Sequence, residues 1–325
     1  MILAEHAVFI GCYTFSRTTK VRLNGIKFDQ SWQPFPRQQF AGKVLADKVS
    51  LLILESDLSE QANVRRCMLT TTNAWFLNGN RSTHVELKMF CFPYAGGAAV
   101  VYRGWEEGLP SAVQVIPVEL PGRGTRLKEP PFISLPTLVD ALAEVIQPLL
   151  DTPFALFGHS MGAVIAFELA RCLRRKYGRE PEALFVAGRR APQITCSDPA
   201  TYNLPKDEFM EELSKLDGTP KEVLEHAELM EMMVPLLRAD FQLIQTYNYI
   251  ADTPLRCPLT VYGGLQDCHV TRDVLLPWKE LTSSRFSLHM LPGDHFFLRP
   301  SQTLLLGMLT RELREVIVGT RMNNS

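Results

Sequence analysis

Three residue types that together can activate a hydroxyl occur in this chain in a usable order. Ser160 stands in Gly158-His-Ser-Met-Gly162, after the apolar run Phe154-Ala-Leu-Phe157 and ahead of an amphipathic run. Asp267 closes Tyr262-Gly-Gly-Leu-Gln-Asp267, and His295 stands in Leu291-Pro-Gly-Asp-His295. A serine hydroxyl is a poor nucleophile at neutral pH. It needs a base to take its proton, and that base needs an orienting acid. The chemistry this set could do is acyl transfer through a covalent serine ester.

Spacing alone does not select these residues, so the rivals matter. His289 lies inside an apolar run and reads as a strand residue. His269 follows Asp267 by two places, too close to act as a base on a separate loop. Asp294 directly precedes His295 and reads as a turn residue. Asp273 reads as a helix start. Ser160, Asp267 and His295 each directly follow a predicted strand, where parallel α/β sheets gather their sites. The order Ser, acid, His is that of the α/β-hydrolases, whose nucleophile sits on a strand–turn–helix elbow. Gly158 and Gly162 supply the small neighbours that such a turn requires.

Acyl transfer also needs donors for the developing oxyanion. One expected donor is the backbone N–H of Met161, at a helix N-terminus. The second is expected from the loop after the first strand, Pro93-Tyr-Ala-Gly-Gly97, with Ala95 preferred and Tyr94 next. Gly96 and Gly97 also fit an ordinary turn.

The elements that must position these residues are legible as alternating runs. Strands are expected at 87–92, 113–120, 154–157, 183–187, 259–262 and 286–291. Helices are expected after residue 97 (with Val100, Val101, Trp105 and Leu109 on one face), and at 135–150, 161–177 and 301–318. Apolar strands alternating with helices predict a mostly parallel sheet flanked by helices, the α/β class. The rhythm breaks at 192–251, an acidic stretch with helices expected at 206–216 and 228–249. Such an insertion at the sheet's carboxyl edge is expected to form a helical lid. Residues 1–67 show no periodicity and no motif. They read as a poorly ordered extension ahead of an α/β-hydrolase domain over 68–325.

Bulk properties bound the rest. The chain has 325 residues, 46% hydrophobic and 21% charged, with a net charge of −1. No global basic field points to nucleic acid, and no apolar run reaches the roughly 18 residues of a membrane span. Seven cysteines are scattered singly, without metal-ligand spacing, as expected of reduced thiols in a cytoplasmic protein. Cys91 and Cys268 flank the site loops and read as packing residues. Arg171, Arg174, Arg175, Lys176 and Arg179 cluster near a helix C-terminus, where charge–dipole placement explains them; a docking patch for an acidic partner is the sharper alternative. Arg189 and Arg190 are expected near the site mouth.

Six motifs together resemble one family. They are Phe92-Pro-Tyr-Ala-Gly-Gly97, Leu120-Pro-Gly-Arg123, Phe157-Gly-His-Ser-Met-Gly162, Gly188-Arg-Arg-Ala-Pro192, Leu237-Arg-Ala-Asp-Phe241 and Pro292-Gly-Asp-His-Phe296. In this order they resemble the type II thioesterases that accompany nonribosomal peptide and polyketide synthetases. The resemblance runs from about Thr71 to about Val316. It implies hydrolysis of the thioester between an acyl or aminoacyl group and the phosphopantetheine arm of a carrier protein, which clears stalled or misprimed carriers. It implies Ser160 as nucleophile, His295 as base, Asp267 as orienting acid, the 192–251 insertion as lid, and no bound cofactor. The expected partners are acyl or peptidyl carrier domains, served by a monomer. Family members usually begin just before a segment like Asn73-Ala-Trp-Phe76, so the resemblance leads us to expect that residues 1–67 are an unusual extension, or upstream sequence read through ahead of a true start at Met68.

Three alternatives stay open on the same residues. They are a carboxylester hydrolase or lipase, a non-catalytic carrier-binding module, and a chain-terminating domain cut from a synthetase. The triad does not separate thioester from oxygen ester, because the leaving group is not written in it.

Overall fold

The computed structural model describes residues 74–77, 84–194, 199–215 and 227–323. The expected extension at 1–67 and the start at Met68 lie outside these residues. The described chain builds one six-stranded sheet in the order β2-β1-β3-β4-β5-β6. The strands are β1 (Leu87–Phe92), β2 (Val113–Pro117), β3 (Phe154–His159), β4 (Ala183–Ala187), β5 (Leu259–Gly264) and β6 (Phe286–Leu291). Every neighbouring pair is parallel. The order reverses between β1 and β3, and a sheet of this class opens a crevice at that point.

The apolar runs are strands because both faces of the sheet are covered. Phe90, Leu156, Leu184 and Val186 pack under α1 (Leu135–Ile146) and α2 (Met161–Tyr177). Met89, Ala155, Phe157 and Phe185 face α6 (Gln302–Asn323), with Leu305, Leu309 and Leu313 on its buried side. Between β4 and β5 run the inserted helices α3 (Lys206–Lys215) and α4 (Ala227–Gln245). They share a small core of Phe209, Leu213, Met230, Val234 and Leu237. A short α5 (Arg272–Leu275) follows β5.

Several boundaries differ from expectation for local reasons. β2 ends at Pro117 rather than at residue 120. Beyond it, Glu119 donates to the carbonyl of Trp75, so the chain leaves the strand to pair with the 74–77 segment. α1 stops at Ile146 and continues only as a tight turn, Gln147–Leu149. Pro148 has no N–H to extend the α ladder. The expected helix after residue 97 is instead two single turns, Ala99–Tyr102 and Trp105–Gly108, broken at Gly104 with φ 80°. The expected common face fails accordingly: Trp105 is buried, but Val100 is exposed.

Candidate active site

The elbow after β3 is held by contacts that leave no room for side chains. A Cβ on Gly158 would lie 2.0 Å from the Gly162 carbonyl oxygen, and one on Gly162 would lie 2.0 Å from that of Phe92. Ser160 takes φ 53° and ψ −109°, the one positive φ at a non-glycine among the described residues. Its N–H donates to the Ala187 carbonyl at 2.8 Å, which ties the strained turn to the end of β4. Backbone held in such a region costs about 1–3 kcal/mol and persists only when its surroundings over-determine it.

The three sequence-predicted residues converge on this turn. His295 Nε2 lies 3.0 Å from Ser160 Oγ, and His295 Nδ1 lies 2.7 Å from Asp267 Oδ2. The three side chains therefore stand in the order hydroxyl, imidazole, carboxylate, each within hydrogen-bond reach of the next. Asp267 is buried, and its Oδ1 accepts the amides of His269 and Val270 at 3.0 and 2.9 Å. Burial alone would push the Asp267 carboxyl up. The hydrogen bond and charge of His295, with the two amides, outweigh it and hold the carboxyl below its ordinary value.

The rivals have other employment. His269 contributes its backbone amide to Asp267. His289 stacks on Tyr262 and faces Glu312 of α6 at 3.9 Å. Asp294 accepts the Phe296 amide in the turn around His295. Asp273 lies in the first turn of α5. Cys91 is buried, which pushes its thiol well above the ordinary range, whereas Cys268 is exposed. The basic cluster on α2 is largely spent inside the chain. Arg171 and Arg174 bind the carbonyls of Ile250 and Thr253, Arg179 binds that of Leu150, and Lys176 pairs with Asp140.

The oxyanion candidates flank the serine. Met161 is the first residue of α2, so its amide is among those a helix start leaves without an intrahelical partner. In the 93–97 loop, the Gly97 amide is committed to the Tyr94 carbonyl at 2.9 Å, and the Gly96 amide to Asp240 Oδ2 at 2.7 Å. Ala95 and Ser160 line one cavity of about 210 Å³. Its far wall carries Leu213 of α3 and Leu237, Phe241 and Ile244 of α4, and Arg189 and Arg190 also line it.

Sequence reasoning gave no role to four residues that build this site, although Arg123, His159 and Asp240 stand in the motifs quoted above. Arg123 and Asp240 form a buried two-pronged ion pair, with Oδ contacts of 2.9 and 2.7 Å, and Arg123 also binds the Gly97 carbonyl. Beneath the Arg123 turn, buried Glu119 accepts the Ala99 amide at 3.2 Å, and burial pushes its carboxyl up. A Cβ at Gly124 would strike Glu119, at 1.9 Å from its Oε1. His159 Nε2 lies 2.8 Å from the His295 carbonyl oxygen. Because a carbonyl only accepts, Nε2 carries the hydrogen. Burial and the nearby His295 lower the pKa of His159 to about 3, so the ring is neutral. The available signal for Asp240 was a charge on the apolar side of Leu236-Leu237-Arg-Ala-Asp240-Phe241. Its partner could not be read, since it lies 117 residues away.

Comparison with known proteins follows the same lines. A family model described as the thioesterase domain matches residues 87–313. The gramicidin S biosynthesis protein GrsT of Aneurinibacillus migulanus is 44% identical over 249 residues, covering 77% of this chain and 97% of that protein. The solved RedJ thioesterase from the prodiginine pathway of Streptomyces coelicolor superposes with a TM-score of 0.67 at 37% identity, covering 73% of this chain and 89% of that one. The type II thioesterase BorB from the borrelidin cluster also gives a TM-score of 0.67, at 34% identity, covering 75% of this chain and 98% of that one. The fold, the matched domain and these relatives agree: the chain belongs to the thioesterase family, in its type II branch.

Proposed function

We propose that this thioester hydrolase removes acyl or aminoacyl groups from the phosphopantetheine arm of carrier domains in nonribosomal peptide or polyketide synthesis. The observation that carries the reading is the hydrogen-bonded Ser160–His295–Asp267 set, whose serine and imidazole line a cavity walled by the inserted helices. ClbQ, from the colibactin NRPS/PKS pathway, and YbtT, a type II thioesterase from the yersiniabactin NRPS/PKS pathway, are solved structures named for such synthesis, and they support the substrate class.

In this reading Ser160 is the nucleophile. Its Oγ attacks the thioester carbonyl carbon while its proton passes to His295 Nε2. The negative charge on the carbonyl oxygen is met by the amides of Met161 and Ala95. Ala95 is chosen because the Gly96 and Gly97 amides are engaged elsewhere. The C–S bond then breaks, the sulfur takes the proton from His295, and the acyl group remains on Ser160 as an ester. A water, deprotonated by His295, attacks that ester; the bond from Ser160 Oγ to the acyl carbon breaks, Oγ takes the proton back from His295, and the acid is released. Asp267 holds the imidazole and stabilises its charged form. The chain itself needs to bind no cofactor for these steps. α3 and α4 act as the lid, admitting the arm and closing over the acyl group. The protein works as a monomer in the cytoplasm, with carrier domains as its partners.

The test is a panel of acyl-loaded carrier proteins assayed for release by wild type and Ser160→Ala, beside oxygen esters of the same acyl groups. Release by wild type and its loss in the variant are expected. A strong preference for the oxygen ester overturns the thioester reading in favour of a carboxylester hydrolase. Turnover no higher in wild type than in Ser160→Ala leaves only a carrier-binding module.

A further inference from the structure

His159 closes β3 and directly precedes Ser160, yet its side chain takes no part in the acyl-transfer steps. The ring is fully buried. Tyr94, Phe296 and Phe297 meet it edge to face, with centroids 5.4, 5.9 and 5.7 Å away. Its Nε2–H donates to the His295 carbonyl at 2.8 Å. A Cβ on Gly188 would lie 2.7 Å from that same Nε2, so glycine there keeps the bond clear.

We propose that His159 is a positioning residue for the base: its Nε2–H holds the backbone of His295 where the imidazole can reach Ser160. The inference rests on the reading above of Ser160 as nucleophile and His295 as base.

The other fastenings of the His295 loop show why such a bond is needed. The Leu265 amide donates to the Leu291 carbonyl and the Gln266 amide to the Gly293 carbonyl, while the Gln266 side chain accepts the Gly293 amide. The Ser301 hydroxyl donates to the Pro292 carbonyl, and Asp294 accepts the Phe296 amide within the loop. These bonds tie the loop after β6 to itself, to α6 and to the loop after β5, which carries Asp267. They keep acid and base together, but none fixes the base against the nucleophile. Ser160 follows β3, and β4 and β5 stand between β3 and β6. Among the described residues, His159 makes the one hydrogen bond from the elbow to the backbone of this loop. Because His159 and Ser160 are neighbours in the chain, the turn that aims Oγ also sets the base. The distance from Oγ to His295 Nε2 is 3.0 Å. Proton transfer needs about 2.6–3.2 Å between heavy atoms, so little slack is allowed.

The residue type points the same way. A phenylalanine would fill the aromatic cage with no polar atom to bury. Histidine brings a second nitrogen, Nδ1, which is buried without a hydrogen-bond partner, and such an atom costs stability. Packing does not account for that cost, whereas the bond to His295 does. Burial also keeps the ring neutral, so it places no charge beside the imidazole that must take up the serine proton.

The experiment compares His159→Gln with His159→Met on one acyl thioester. The two replacements have the same chain length and lose the same ring packing, but only glutamine keeps a donor at its end. Melting temperatures fix an assay temperature at which both are folded. The methionine variant is expected to fall at least about fivefold below the glutamine variant in kcat, with the two KM values within about twofold of each other. A smaller difference in kcat, or one confined to KM, overturns the assignment while leaving the hydrolase reading intact. Long-range proton–nitrogen correlation spectra of wild type labelled with ¹⁵N-histidine test it without any variant. A neutral ring with its hydrogen on Nε2 is expected at neutral pH. A hydrogen on Nδ1 alone overturns the assignment, since Nε2 would have none to give. Turnover no higher in wild type than in Ser160→Ala overturns the reading on which the inference rests.

Discussion

The carboxylate of Asp240, on α4, accepts the backbone amide of Gly96 at 2.7 Å across 144 residues of sequence. The same carboxylate is gripped by Arg123, whose guanidinium also binds the Gly97 carbonyl. The inserted helix is thus pinned to the loop that carries the expected oxyanion donor Ala95. Removing one partner of a buried pair leaves an uncompensated charge, so Asp240→Leu should cost about 3–5 kcal/mol in urea unfolding. Arg123→Met/Asp240→Leu should recover most of that loss, because an apolar replacement of a buried pair is often neutral. Its kcat should nevertheless stay roughly a hundredfold low, because the Gly96 amide has lost its anchor. A double variant with wild-type kcat would remove Asp240 from the positioning of the loop.

Ser160, the proposed nucleophile, sits in a strained backbone conformation. Ser160→Gly and Ser160→Ala should both lose turnover by at least about 10⁴-fold. They should differ in stability, since glycine accepts φ 53° and alanine does not. Ser160→Gly is expected to be the more stable by about 1 kcal/mol in thermal unfolding. Equal stabilities would mean that the turn is unstrained.

Asp267, the proposed orienting acid, should act through geometry rather than fold. Asp267→Asn still accepts the amides of His269 and Val270, yet its side-chain N–H₂ can face His295 Nδ1 and select the wrong tautomer. A loss of about 10⁴ in kcat with little change in KM is expected. Steady-state thioester hydrolysis measures it.

His159 sets a pH limit on stability. Its pKa is about 3 in the fold against an ordinary value of 6.5. Above pH 6.5 both folded and unfolded chains carry it neutral, and its contribution is complete. Below that, only the unfolded chain takes up the proton. Stability should therefore fall by up to about 1.4 kcal/mol per pH unit as pH drops through 6 to 4. His159→Gln, with the same global fold by circular dichroism, should flatten that slope. An unchanged slope would assign the acid loss to other groups.

Two glycines with different surroundings give an internal control. At Gly162 a Cβ would collide with the Phe92 carbonyl oxygen, whereas at Gly178 it would meet nothing within 4 Å and only the φ of 65° opposes it. Gly178→Ala should cost about 1–2 kcal/mol. Gly162→Ala should cost more than about 4 kcal/mol or fail to yield folded protein. Comparable melting temperatures would show that the elbow relaxes.

By itself the sequence determined the alternation of strands and helices, the parallel class of the sheet and the elbow. These are local signals: apolar runs of strand length, 3.6-residue periodicity, and small residues on either side of Ser160. Asp267 and His295 were legible because each lies on the loop just past a strand, and strand ends are where a parallel sheet gathers its sites. The extent of β2, the two turns at Ala99–Tyr102 and Trp105–Gly108, and the exposure of Val100 were not legible, since contacts from elsewhere decided them. Only the tertiary structure decided that Asp240 serves Gly96, that Arg123 serves Asp240, and that His159 holds the His295 carbonyl. Each is a hydrogen bond between groups more than a hundred residues apart, and nothing in local spacing records it. Desolvation makes such bonds costly to leave unmade, and desolvation is a property of the packed molecule rather than of the chain.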